Sequence, residues 1–407
     1  MKNYKFLIGV FSVVFVVLGF VNQVRAELIY GMTAFNSQGT SRGVGLVSFD
    51  SATPGTITTI GNFTGVVANH QVRSMDFRPA NGQLYAISTD LDTFNTGQLY
   101  TVNLSTAALT PVGPGFVLGT NADFRVEMDF NPSVDRIRVI TGATKQSGQT
   151  NNFRVNPNTG VLVVSPSDTS LAFAATDPNF NIDFNQIAAA AYSNNIAGAT
   201  TTTLYAWDFG TSDSLVRIGS VGGSPISPNS GSIFTIQLQP PGGELGFNSG
   251  IGMDISGVSG ICYVTHDNPA PLPGTLMSLF TRNLTSGAET KIGNYPASTF
   301  ISDISVKTPN TAAGVTVSGR LITAEGRGII NARVSLTNPD GSVSYAISRR
   351  GGYYQFDDVE VGATYIFTVQ SRRYQFDNPT RVISLTDAIA DLDFIAISTN
   401  RERLLDR

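Results

Sequence analysis

A short element recurs through the first three hundred residues, and this recurrence limits the folds that the chain can adopt. Its clearest copy begins at Met75 and reads Met-Asp-Phe-Arg-Pro. The other copies are Met128-Asp129-Phe130-Asn131-Pro132, a degenerate Ala190-Ala191-Tyr192-Ser193-Asn194, Met253-Asp254-Ile255 and Ser302-Asp303-Ile304. The copies follow one another at intervals of roughly 50 to 60 residues, and strand-only repeats of about this length are typical of β-propeller blades.

Each copy is followed by the same order of strand signals. In the second unit these signals fall at residues 75–77, 84–87, 98–103 and 109–112, and turn-forming residues such as Asn81-Gly82 separate them. Four short strands joined by turns form one antiparallel blade. The sequence therefore predicts an all-β protein.

The first unit lacks a leading strand of its own, because residue 27 runs directly into the strand pattern that begins at Leu28. We expect residues 300–306 to supply the missing strand, so that N-terminal and C-terminal strands pair and close a ring. The pattern predicts five blades over residues 27–307. A sixth remains possible if residues 171–184 contain another.

A second strand pattern follows a short linker. Residues 308–313 have a linker composition, and residues 314–398 contain alternating segments separated by Gly-rich turns. This pattern predicts a seven-stranded β-sandwich. The last segment, 399–407, is a polar tail.

The N-terminus has the three parts of a secretory signal peptide. Lys2 and Lys5 precede an apolar run, and a polar stretch ends at Ala26. We expect cleavage after Ala26, although an uncleaved membrane anchor is the alternative. Export places the protein in the periplasm, at the cell surface or in the medium, with no stable membrane span after cleavage. Cys262 is the single cysteine, so no intramolecular disulfide can form.

Charge content excludes one class of partner. The chain has 26 Lys and Arg against 30 Asp and Glu, so it lacks the positive surface that a nucleic-acid binder needs. We therefore expect no nucleic-acid partner.

The repeat also carries a resemblance. The pattern Met-Asp-Phe-x-Pro-x-x-Gly-x-Leu-Tyr-Ala that begins at Met75, the Gly-Gln-Leu-Tyr-Thr-Val-Asn strand and the Thr-Leu-Tyr-Ala-Trp-Asp strand resemble an exported bacterial β-propeller family. That family is known only as a domain of unknown function. The resemblance covers residues 27 to about 307 and implies fold and export, not an activity.

The second pattern resembles the carboxypeptidase regulatory-like domain. The resemblance rests on Ser318-Gly319-Arg320, Gly326-Arg327-Gly328-Ile329, Ala332-Arg333-Val334, Gly351-Gly352-Tyr353-Tyr354-Gln355-Phe356 and Gly362-Ala363-Thr364-Tyr365. It implies a prealbumin-like β-sandwich that is grouped with carbohydrate-binding folds.

Catalytic motifs are scarce. His70 and His266 are the two histidines of the chain, and neither opens a His-x-x-Glu or His-Glu-x-x-His zinc motif. The sequence also contains no Gly-x-Ser-x-Gly elbow to accompany a Ser-His-Asp hydrolase. We therefore predict no catalytic residues.

The recurring aspartates are the candidate site. Because the leading strands of propeller blades line a central channel, Asp76, Asp129, Asp254 and Asp303 could point at one cation, and oxygen ligands suit Ca²⁺. The favoured alternative gives each aspartate a structural role, accepting backbone N–H bonds from a neighbouring blade. No resident cofactor is predicted, and Ca²⁺ stays an alternative.

We expect an exported, non-enzymatic recognition protein. Its partner would be an extracellular protein or glycan, bound by propeller loops, by the β-sandwich or by both. One alternative is a hydrolase or lyase that acts at the channel with carboxylates or a bound cation. Another is a structural cell-surface protein.

Overall fold

The fold is seen in a computed structural model of the chain. It describes residues 26–34, 43–118, 125–142, 152–180, 186–208, 214–237, 251–267, 276–307, 315–338, 343–359, 364–385 and 387–397. The predicted linker 308–313 and tail 399–407 lie outside the described residues, as does the predicted signal peptide up to residue 25. Within the described ranges the regular elements are strands, apart from single 3-10 turns at Val221–Gly223, Pro228–Ser230 and Arg350–Gly352. The all-β prediction is confirmed.

The described residues between 27 and 307 form twenty strands. They are β1 (Leu28–Ala34), β2 (Gly45–Asp50), β3 (Ile57–Asn62), β4 (His70–Phe77), β5 (Leu84–Asp90), β6 (Thr96–Val102), β7 (Leu109–Val117), β8 (Val126–Asn131), β9 (Arg136–Thr141), β10 (Asn152–Val155), β11 (Ala172–Phe173), β12 (Ile187–Tyr192), β13 (Leu204–Asp208), β14 (Ser214–Ile218), β15 (Ser232–Gln237), β16 (Gly252–Ile255), β17 (Cys262–Asp267), β18 (Met277–Arg282), β19 (Glu289–Asn294) and β20 (Phe300–Val306).

These strands form five sheets that follow one another along the chain. Their strand orders are β20-β1-β2-β3, β4-β5-β6-β7, β10-β9-β8, β11-β15-β14-β13-β12 and β16-β17-β18-β19. The first sheet takes its leading strand from the far end of this region, because β20 pairs antiparallel with β1. The leading strands β4, β8, β12, β16 and β20 each contact the next, and β20 contacts β4.

Two segments differ from the predicted strands. Residues 161–164 stand where the repeat predicts the fourth strand of the third unit, but there Leu162 makes only an isolated bridge to Val155. The described part of the third sheet therefore has three strands. The segment 171–184, considered as a possible sixth blade, contributes Ala172–Phe173 to the fourth sheet, parallel to β15. Its described part adds no separate sheet.

The core of this region lies between the sheets. Five hydrophobic clusters each join two successive sheets, and the last joins the fifth sheet to the first. Pairs that represent the five clusters are Tyr30 with Phe77, Tyr85 with Phe130, Ile140 with Tyr192, Trp207 with Ile255, and Tyr263 with Val306. Both faces of the leading strands are therefore buried, and the polar residues of these strands, such as Asp76, Asp129 and Asp254, are buried with them.

Eight further strands follow. They are β21 (Val315–Ile322), β22 (Arg333–Thr337), β23 (Val343–Ile347), β24 (Tyr353–Val359), β25 (Thr364–Gln370), β26 (Gln375–Phe376), β27 (Thr380–Ser384) and β28 (Phe394–Ile397). They form two four-stranded sheets, β24-β21-β28-β26 and β23-β22-β25-β27, whose buried side chains make one hydrophobic cluster. The sequence predicts seven strands here, whereas the described residues form eight, among them the short β26 and the mostly exposed β27, whose apolar signals are weak.

Candidate functional site

The predicted aspartates lie on the leading strands, and strand pairing shows which of them are equivalent. Asp76 lies opposite Tyr85, and Asp254 lies opposite Tyr263. Ala191 likewise lies opposite Tyr205. In the third sheet Asp129 faces Arg138, which replaces the tyrosine. One position of the repeat is thus paired with a tyrosine or an arginine on the next strand.

In the first sheet this equivalent position is Ser305, not Asp303. Ser305 lies opposite Tyr30, whereas Asp303 lies opposite Met32. Asp303 Oδ2 accepts the backbone N–H of Met75 at 2.8 Å, and Ser74 Oγ accepts that of Met128 at 3.1 Å. Asp303 therefore corresponds to Ser74, two residues before Asp76.

The aspartates join neighbouring sheets through backbone hydrogen bonds. Asp76 Oδ2 accepts the N–H of Phe130 at 2.8 Å, and Asp129 Oδ1 accepts that of Tyr192 at 2.9 Å. Asp254 Oδ2 accepts the N–H of Val306 at 2.6 Å. Each carboxylate thus satisfies a buried donor of the following leading strand, which would be costly to leave unpaired.

Three of the four predicted aspartates converge. One carboxylate oxygen from each of Asp76, Asp129 and Asp254 lies within 4.8 Å of the others, and we call these residues the carboxylate cluster. Asp303 is outside this group. The three residues are 1–2% exposed.

Burial governs the protonation of the carboxylate cluster. It raises the pKa of Asp254 to about 7, against hydrogen bonds from Val306 and Ile255 that favour the charged form. Burial, followed by the charge of neighbouring cluster members, raises the pKa of Asp76 and of Asp129 well above the ordinary aspartate range. The cluster therefore retains protons that exposed aspartates would have released.

The cluster could hold protons or a cation, and its hydrogen bonds bear on the choice. Five of its six carboxylate oxygens already accept N–H or O–H donors. Ser305 Oγ, for example, donates to Asp76 Oδ1 at 2.8 Å. A cation would have to share these oxygens with the N–H and O–H groups that already bind them. A proton needs only one oxygen of each of two neighbouring carboxylates, so the hydrogen bonds favour protons.

The other titratable groups singled out in the sequence make structural contacts. His70 Nδ1 lies 3.0 Å from Ser88 Oγ, and burial lowers the pKa of His70. His266 stacks on Phe280 with ring centroids 4.1 Å apart, and its Nε2 lies 3.1 Å from Glu289 Oε2. The thiol of Cys262 is buried, which raises its pKa to about 12 and removes it as a nucleophile.

A groove of about 770 Å³ lies along the fifth sheet, beside the turn that joins β18 to β19, and we call it the fifth-sheet groove. Its hydroxyl and amide side chains include Thr281, Asn283, Thr285, Ser286 and Thr290. Ile261, Leu284 and Ile292 add apolar surface. Neutral hydrogen-bonding groups around apolar surface are typical of small-ligand sites.

The repeat unit is now defined, and a family model covers it. The model of a domain of unknown function, DUF4394, matches residues 45–305. The chain belongs to the DUF4394 family. No curated protein matches this DUF4394 chain.

Solved structures resemble the DUF4394 chain at low identity. A candidate 6-phosphogluconolactonase from Bacteroides uniformis ATCC 8492 is 12% identical, with 82% of this chain and 97% of that chain covered and a TM-score of 0.36. The Aleuria aurantia lectin, a six-bladed β-propeller, is 11% identical over 80% and 97%, with a TM-score of 0.32. The pilin BcpA of Bacillus cereus is 9% identical over 33% of this chain, which spans 41% of the pilin, with a TM-score of 0.19.

Sequence reasoning missed several residues that the DUF4394 fold brings together. Ser305 could have been found by aligning the tyrosine of the second strand, because Tyr30 lies opposite Ser305 as Tyr85 lies opposite Asp76. The groove residues carried no signal, because Thr and Ser near a turn are common throughout the chain.

Proposed function

We propose that this protein is an exported recognition protein that binds a neutral extracellular ligand, a carbohydrate or a protein segment, in the fifth-sheet groove. The observation that carries the proposal is the lining of that groove. Seven hydroxyl and amide side chains line the groove together with apolar ones, and Arg282 is the charged residue among the lining residues. Hydroxyl and amide groups exchange hydrogen bonds with a sugar or a peptide backbone, and apolar side chains pack on its less polar face.

The proposed architecture is a five-bladed β-propeller over residues 27–307 and a carboxypeptidase regulatory-like β-sandwich over residues 314–398. The cyclic contacts of the five leading strands and the β20–β1 pairing support the propeller. Two four-stranded sheets around one cluster support the sandwich. The leading strand of each sheet is an edge strand that lies against the neighbouring leading strands, as the protected inner edges of a propeller do.

Export would begin with the signal peptide of residues 1–26. The charged start, apolar run and terminal Ala26 support it. The described part of the chain contains no helix with the length and hydrophobicity of a membrane span. The mature protein would start at Glu27.

A recognition role fits the titratable groups better than catalysis at the channel does. The carboxylate cluster is 1–2% exposed, and its oxygens hold backbone strands in place. A general acid or base must reach a substrate proton within hydrogen-bond distance. Carboxylates that are buried between strands do not meet this condition.

The test is a ligand screen with two matched variants. Thr290 of β19 lines the groove, whereas Thr58 of β3 is an exposed residue at the corresponding place in the first sheet. A panel of neutral oligosaccharides is screened by thermal shift with the mature protein. We expect a saturable shift that Thr290→Arg abolishes and Thr58→Arg preserves.

Two outcomes would contradict the proposal in different ways. A shift that survives Thr290→Arg and needs residues 314–398 would move recognition to the sandwich. If no oligosaccharide shifts the Tm, a carbohydrate ligand is excluded. A pull-down with extracellular proteins, again compared between the two variants, then decides between a protein partner and a structural role.

A further inference from the structure

Glu27 follows the expected cleavage site and precedes the first strand, and both its backbone and its side chain are hydrogen-bonded to other parts of the chain. Glu27 is 9% exposed, while Ala26 before it is exposed. The backbone N–H of Glu27 donates to Ser51 Oγ at 2.9 Å. The backbone carbonyl of Glu27 accepts the N–H of Ser51 at 2.8 Å.

The Glu27 side chain is held by three hydroxyl groups of the fifth sheet and its turns. Ser259 Oγ and the Tyr263 hydroxyl each donate to Oε2 at 2.8 Å. Ser256 Oγ donates to Oε1. The carboxylate therefore links the start of the first sheet to the fifth sheet.

This buried carboxylate has no cationic partner among the side chains of the described residues. The ion pairs there involve other acids, Asp135, Asp168 and Glu289. A nearly buried charge is costly unless a partner of opposite charge accompanies its hydrogen bonds. Burial raises the pKa of Asp254 to about 7, and the charge of Glu27 makes a smaller contribution to this rise.

We propose that export processing supplies the missing cation. Hydrolysis of the Ala26–Glu27 peptide bond by an export-stage peptidase adds one water, which leaves a carboxylate on Ala26 and an α-ammonium group on Glu27. The new ammonium group lies at Ser51 Oγ, on the same residue as the buried carboxylate, and pairs with it. The mature N-terminus is thus a charged joint between the first and fifth sheets.

The order of events follows from burial. Once Glu27 is bound between Ser51 and Tyr263, its amide is inaccessible to a peptidase, so cleavage acts on the unfolded exported chain. This inference rests on the proposed export, not on the proposed ligand. A chain that stays inside the cell contradicts export itself, whereas an exported chain that is uncleaved, or whose mass shows a first residue other than Glu27, contradicts only the charged joint.

The decisive experiment is a double-mutant cycle. One chain begins at Glu27 and has the free ammonium group, and a second begins at Val24, so that Glu27 keeps its peptide bond. Each is prepared with Glu27 and with Glu27→Gln, which retains an acceptor but removes the charge. An N-terminal glutamine cyclises slowly with loss of ammonia and of the free amine, so the shorter variant is used fresh and its mass verifies the open form. Thermal unfolding is monitored by the fluorescence of Trp207, the single tryptophan of the chain, which is buried on β13 of the fourth sheet.

We expect the chain that begins at Glu27 to have a Tm a few degrees above that of the longer chain, and this gain to disappear with Glu27→Gln. Glu325→Gln, a substitution of an exposed glutamate, is the matched control and should leave the gain unchanged. In the shorter chain the α-amino pKa, measured by NMR after isotopic labelling of the amine, should lie above its ordinary value of about 8. Equal Tm values for the two chains, or a gain that persists in Glu27→Gln, would overturn the proposal.

Discussion

Asp76 Oδ2 accepts the backbone N–H of Phe130 at 2.8 Å, and this bond joins the leading strands of the second and third sheets. Tyr85, which lies opposite Asp76, packs edge-on against the Phe130 ring with centroids 5.3 Å apart. Tyr30 and Phe77 repeat this contact between the first and second sheets, again at 5.3 Å. The recurring sequence element therefore encodes the joint between sheets: a polar acceptor for the backbone and an aromatic ring for the core.

The aromatic half of this joint can be tested at Tyr85. Tyr85→Ala removes a buried ring and should lower the free energy of unfolding by about 3–5 kcal/mol. Tyr85→Phe retains the ring contact and should cost no more than about 1 kcal/mol. Urea unfolding followed by Trp207 fluorescence measures both values for this region.

Phe180, which is half-exposed, supplies the control for Tyr85. Phe180→Ala should change the free energy of unfolding by no more than about 0.5 kcal/mol. If Tyr85→Ala were as mild as Phe180→Ala, the ring contact would not stabilise the joint between the sheets.

The carboxylate cluster should make stability depend on pH with a definite sign. Its folded-state pKa values lie above that of an unfolded aspartate, and that of Asp254 is about 7. Between about pH 4 and about pH 7 the folded protein keeps protons that the unfolded chain releases, so this contribution to stability is lost as the pH rises. Asp129→Asn removes one charge and keeps an oxygen for the N–H of Tyr192.

We therefore expect Asp129→Asn to gain stability relative to the natural protein when the pH rises from about 5 to about 8, by on the order of 1 kcal/mol or more. Asp92→Asn, at an exposed position of the same region, should show no such trend. Urea titrations of the three proteins at both pH values measure the difference. A relative stability of Asp129→Asn that does not depend on pH would show that the cluster releases its protons like exposed aspartates.

Calcium provides a separate test of the same cluster. Because five of the six carboxylate oxygens already accept hydrogen bonds, we expect millimolar Ca²⁺ to leave the Tm of the mature protein unchanged. Thermal unfolding with Ca²⁺ and with a chelator measures this. A saturable Ca²⁺ shift that Asp129→Asn abolishes would instead identify a cation site.

The strand content and the repeat could be read from the sequence because they depend on local signals. A short apolar run that follows the Asn81-Gly82 turn identifies β5 without any knowledge of its partner strands. The pairing of β20 with β1 is also predictable, because the first unit lacks a leading strand of its own.

The exact register could not be read from the sequence. Asp303 matched the repeated Asp-hydrophobic pattern, but Ser305 takes the equivalent place, and a shift of two residues preserves the face to which a side chain points. The alternation of apolar and polar residues therefore cannot distinguish the two registers. Two further features could not be predicted from the sequence. The hydrogen bonds of Glu27 join residues more than two hundred positions apart, and the fifth-sheet groove depends on the shape of a turn.

The closeness of the leading strands explains a requirement for glycine. A Cβ atom on Gly252 would lie 2.6 Å from the Cα atom of Asp303 and 2.8 Å from the backbone nitrogen of Ile304. Both are backbone atoms of β20, so a Cβ atom at this position would push β16 and β20 apart. Their separation would weaken the hydrogen bond from the N–H of Val306 to Asp254. Gly252→Ala should lower the free energy of unfolding by at least about 2 kcal/mol, measured by Trp207 fluorescence in urea. Gly55→Ala is the matched control, because its Cβ would meet the Asn294 carbonyl oxygen at an ordinary 3.5 Å, and a similar loss in both variants would refute the close approach of β16 and β20.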